Sequence, residues 1–118
     1  MAFNQTQKKA LIDRLMATKR KAQRLSVSLA FQGKPQEATQ LRRRATRLAV
    51  QIDDLLVAVL EQWAGNANTT LNEMKATNRR LQDAIRDIRR KRKVADRVVK
   101  ALEQVDKAIE VARAVLTW

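Results

Sequence analysis

Cysteine, histidine and tyrosine are absent from the 118 residues, and there are only two glycines and one proline. Without Cys the chain has no disulfide, no thiolate metal site and no thiol nucleophile. Without His it lacks the commonest general base and the commonest metal ligand. Catalysis would fall to Ser, Lys or carboxylates, and no serine has a base and an orienting group near it. The expectation is a non-enzyme with no cofactor, no metal and no small-molecule substrate. Long apolar runs are missing too. The longest covers residues 55–60, far short of the roughly 20 residues that span a bilayer. The first nine residues hold no apolar stretch of the signal-peptide kind, so the expected location is the cytoplasm.

Negative charge is also scarce. Lys and Arg number 25 against 12 Asp and Glu, a formal net charge of +13. Such an excess suits a partner that is nucleic acid or another polyanion. An acidic protein or an anionic membrane surface would fit the same balance. The length implies one domain, residues 1–118.

With so few helix breakers, only two segments read as turns: Gly33-Lys34-Pro35 and residues 65–70. Elsewhere apolar residues recur at spacings of three and four, the period of helices packed on helices. The fold class is therefore all-α, an antiparallel bundle of three long helices with coiled-coil-like packing, over about residues 4–31, 35–64 and 70–117. Asn4 with Gln7, and Thr70 with Glu73, sit in capping-box positions. Pro35 suits a first helical residue. Leu56, Leu60 and Trp63 widen the apolar face late in helix 2, which makes that half the expected centre of burial. Asn78 lies in the helix 3 seam, either setting register or wet at its edge.

No turn-forming residue interrupts residues 89–93, and Ile88 and Ala95 keep one apolar phase. Both features favour a third helix of roughly 72 Å against about 43 Å for the others. Its overhang would expose Val98, Leu102, Val105, Ile109 and Leu116 to a second chain, which predicts a homo-oligomer. The alternative is a break near residue 93 and a four-helix bundle, with Trp118 returning to Trp63 and Phe3.

The charges are not evenly spread. Lys19-Arg20-Lys21-Ala22-Gln23-Arg24-Leu25 is echoed by Arg42-Arg43-Arg44-Ala45-Thr46-Arg47-Leu48, with Gly33 midway. A hairpin at Gly33 sets Lys19, Arg20, Lys21 and Arg24 beside Arg42, Arg43, Arg44 and Arg47. Reflecting helix 2 onto helix 3 places Arg92 opposite about Leu41, so Arg89, Arg90, Lys91, Arg92 and Lys93 join the same zone. Like charges crowded together repel, and a polyanion would neutralise them. Arg suits phosphate because its planar fork engages two oxygens at once. No aromatic sits among these runs, and Asn and Gln are few, so binding should be backbone-directed and blind to sequence. The plain reading is a charged face that keeps a bundle soluble. A second functional reading is a structural or protein-interaction bundle working through self-association or partner binding of its apolar C-terminal stretch.

Overall fold

The computed structural model describes residues 3–116. Four helices carry the chain: α1 (Gln5–Phe31), α2 (Pro35–Val57), α3 (Ala67–Arg89) and α4 (Val94–Val115), with a short 3₁₀ turn at Leu60–Gln62. Trp118, expected beside Trp63 and Phe3, lies outside the described residues. No helix among those described is long and apolar enough to cross a membrane.

The start of α1 follows its sequence closely. Asn4 Oδ1 accepts from the Gln7 backbone N–H at 2.8 Å, and Gln7 Oε1 accepts from the Asn4 N–H at 3.0 Å. Two N–H groups left over at the helix start are thereby satisfied. At its other end Gly33 takes the left-handed backbone, φ 76°. The Gly33 N–H donates to the Ala30 carbonyl and the Lys34 N–H to the Leu29 carbonyl. This paired pattern closes the last turn of a helix and favours glycine at the left-handed residue.

The third helix is not continuous. α3 ends at Arg89 and α4 begins at Val94. The break repeats the bonding of the Gly33 turn, with the Lys91 N–H on the Ile88 carbonyl and the Arg92 N–H on the Asp87 carbonyl. Lys91 occupies the left-handed position at φ 57°, and Lys93 follows at φ 47°. A left-handed residue with a Cβ costs roughly 1–2 kcal/mol. Folding α4 back buries Val98, Val105, Ile109, Val111 and Val115. At roughly 1.5–3 kcal/mol per side chain, that burial outweighs the two strained lysines. Lys91→Gly removes one strain and is expected to raise unfolding free energy by about 1 kcal/mol. Urea denaturation followed by circular dichroism measures it; an unchanged midpoint would contradict the assignment.

The expected overhang is therefore absent. Val98, Val105 and Ile109 are core residues, and Leu102 and Leu116 pack against that core. These five side chains serve the fold of one chain, which removes the basis for self-association through them.

Helix 2 is shorter than its apolar phase suggests. α2 stops at Val57, and residues 58–66 form a connector. Leu56 is exposed, Leu60 is half-buried, and Trp63 is buried in the connector. The Trp63 ring meets Phe3 edge-on at 5.2 Å. The Lys8 ammonium sits 5.3 Å from the Trp63 ring centre and donates to the Ala58 carbonyl. The Ala64 N–H donates to the Val115 carbonyl at 2.7 Å. These contacts close the end of the bundle opposite the two tight turns. α3 also starts three residues earlier than its Thr70 box implies, because Asn66 Oδ1 accepts from the Thr69 N–H at 3.0 Å.

The connector crosses a diagonal. α1 packs on α2 and α3, α4 packs on α3 and α2, and α2 and α3 face each other across the core. Each hairpin, α1–α2 and α3–α4, is antiparallel. α1 and α3, however, run side by side in the same direction, as do α2 and α4. Three contacts fix the α1/α3 register. Thr18 Oγ1 and Asn78 Oδ1 are 2.6 Å apart. Asn78 Nδ2 donates to the Arg14 carbonyl at 3.1 Å. The Arg14 guanidinium donates to the Leu71 carbonyl. Thr18 is fully buried, and its hydroxyl has two acceptors within reach, the Arg14 carbonyl at 3.1 Å and Asn78 Oδ1. Asn78 thus acts as a register-setting side chain, and the pairing it sets is parallel.

Candidate polyanion interface

Charge divides between the helices. α1 carries seven Lys or Arg and one carboxylate, Asp13. α4 carries four of each sign. Because α1 lies between α2 and α3, the most basic helix has basic neighbours on both flanks.

On the α2 flank the hairpin sets the heights. Equal steps from Gly33 bring Arg24 level with Arg42, and Arg20 level with Thr46. Ala22 and Ala45 are buried in the two seams. At about 100° per residue, Arg20 and Arg24 then point away from the core on α1, as do Arg43 and Arg47 on α2. Arg20, Arg24, Arg42, Arg43 and Arg47 are all exposed. Lys19, Lys21 and Arg44 are half-buried. Burial pushes the Lys21 ammonium below its ordinary pKa because the charged form loses hydration. Arg44 turns toward α4, where its Nε meets Asp106 Oδ1 at 2.8 Å.

On the α3 flank the register comes from Asn78. Counting from the Thr18–Asn78 contact brings Arg89 level with Leu29. The basic run 89–93 therefore sits at the tip of the bundle beside the Gly33 turn, not level with Arg42, Arg43 and Arg44. The expected height assumed helix up to residue 64; because α2 ends at Val57 and α3 starts at Ala67, the run lies about seven residues, roughly 10 Å, nearer the tip. All five residues of the run are exposed. The three runs thus form two patches, a band across α1 and α2 and a basic tip between α3 and α4.

The parallel α1/α3 pairing adds cations that the sequence reading missed. Leu71 and Asn78 mark the α1-facing edge of α3. Lys75, Arg79, Arg86 and Arg89 follow that edge at helical spacings, and all are exposed. They extend the α1 band around to α3 and up to the tip. Their signal in the sequence was the repeat of Arg at four, seven and three residues from Lys75 onward. Periodicity names such a stripe but not the helix beside it.

Few carboxylates answer these charges. Among the described residues the ion pairs are Lys9–Asp13, Arg44–Asp106, Arg86–Asp83 and Arg97–Asp87. Of the thirteen side chains expected to hold a polyanion, Arg44 alone is in that set. Exposed guanidinium groups without a partner keep their fork open to an incoming oxyanion. Among the described residues no three His, Cys, Asp or Glu side chains gather as a metal-binding set.

One aromatic does lie on this surface. Phe31, the last residue of α1, is 89% exposed. It lines a hollow with Ser26, Val27, Ala30, Ala38 and Arg42. Phe31 is seven residues past Arg24 and eleven past Arg20, within about 20° of both around the helix. The linear charge runs end at Arg24, which hid this neighbour; the outer stripe of α1 is what reveals it.

Comparison with protein-family models, characterised proteins and solved structures finds no match to this chain.

Proposed function

We propose that the protein is a non-enzymatic, cytoplasmic binding module whose α1-centred basic surface engages nucleic-acid phosphates without reading sequence. The observation that carries the reading is the charge on α1, seven cations against one carboxylate, with Arg20 and Arg24 exposed and in no ion pair among the described residues. Phosphate contact through Lys and Arg is enough for sequence-blind binding. On α4 the two signs balance, four against four, whereas on α1 they do not.

The test is a mobility shift with arbitrary RNA and DNA, both single-stranded and duplex, at low salt. Retention of unrelated sequences with similar affinity is expected. Absence of any retention at low salt overturns the proposal.

A further inference from the structure

We infer that the nucleic acid bound along α1 is single-stranded, with a base stacked on Phe31. The inference rests on the nucleic-acid reading above and adds the form of the ligand. Aromatic residues are few in this chain: two Phe and two Trp. Phe3 and Trp63 are buried against each other and hold the far end of the bundle together. Phe31 is 89% exposed, so its ring adds almost nothing to the core. It is not needed for the turn either. The helix-closing bonds run from Gly33 and Lys34 to the Ala30 and Leu29 carbonyls, and an Ala at position 31 would leave them unchanged.

Its position suits a base. A strand that follows the outer face of α1 meets Arg20, then Arg24, then the Phe31 ring about 10 Å beyond Arg24. Arg42 lines the same hollow as the ring, with Val27, Ala30 and the buried Ser26 and Ala38. The arrangement joins a cationic track to a π surface, the combination used to hold single strands. Stacking tolerates every base, so sequence-blindness is preserved. A duplex keeps its bases stacked inward and offers the ring no free face. An anionic bilayer would also accept cations and one Phe. Interfacial binding, however, draws on a broad apolar helix face, and the face of α1 around Arg20 and Arg24 is charged.

The experiment compares wild type with Phe31→Ala and Phe31→Trp by anisotropy of labelled poly(dT), alone and annealed to poly(dA), with phosphatidylserine vesicles in a separate sedimentation assay. Phe31→Ala should weaken poly(dT) binding on the order of tenfold and leave the duplex within about twofold, the change expected of phosphate contacts left intact. Phe31→Trp should restore single-strand affinity. Thermal melting of both variants should match wild type, because the side chain is exposed. Equal loss on both ligands, or no loss on poly(dT), overturns this inference while leaving phosphate binding in place. Vesicle binding that falls in Phe31→Ala while poly(dT) binding is unaffected overturns it in favour of a membrane. A wild-type protein that binds neither nucleic acid overturns the reading beneath it as well.

Discussion

Replacing Arg20, Arg24, Arg42 and Arg43 together by Glu is expected to lower nucleic-acid affinity by on the order of 10³-fold near physiological salt. Each phosphate contact contributes through the counterion it releases, which is worth about fivefold per contact at that ionic strength. Four lost contacts therefore multiply to hundreds, and the added carboxylates repel phosphate besides. The fold should survive, since among the described residues none of the four side chains joins an ion pair and all four are exposed. Removing like charges from neighbouring helices should leave thermal stability equal or slightly higher. Anisotropy titration alongside a melting curve separates the two effects. Unchanged affinity in a folded variant would mean that α1 and α2 are not the binding face.

The second large effect concerns the fold that presents this face. Val105 is fully buried on α4. Val105→Asp places an unpaired carboxylate in the core, which is expected to cost about 4 kcal/mol or more. That is a large share of the 5–15 kcal/mol typical of a native domain. The same substitution on an overhanging α4 would abolish association but spare the helices. Urea denaturation with light scattering distinguishes these outcomes. Wild type should scatter as one chain, and the variant should lose most of its stability. A stable variant whose oligomer has dissociated would reinstate the long third helix.

Much of this architecture is legible in the residues. Asn4 and Gln7 start α1, Gly33 and Pro35 form the first turn, and the seams at Leu11, Leu15, Leu41 and Leu48 enter the core as the spacing implies. The places that misled have local causes. At residues 90–93 two lysines adopt the left-handed backbone that glycine normally supplies, so composition pointed to helix where packing required a turn. At residues 58–66 apolar residues continue in helical phase, yet the chain leaves the helix to cross a diagonal. That crossing makes α1 and α3 parallel neighbours, an arrangement no single-helix period can reveal. The site inherits the same pattern. The Arg20/Arg24 and Arg42/Arg43 band was visible as a repeat. The height of the run at 89–93, the α3 edge at Arg79 and Arg86, and the exposure of Phe31 all depended on how the helices assemble.

The most direct test of the central claim, an unneutralised cationic face on α1 that phosphate completes, is the salt dependence of wild-type binding to a single strand. The logarithm of the association constant against the logarithm of salt concentration should be linear with a slope of about −4 or steeper, corresponding to at least six phosphate contacts. A slope near zero would show that these cations do not hold the ligand, and would contradict the account.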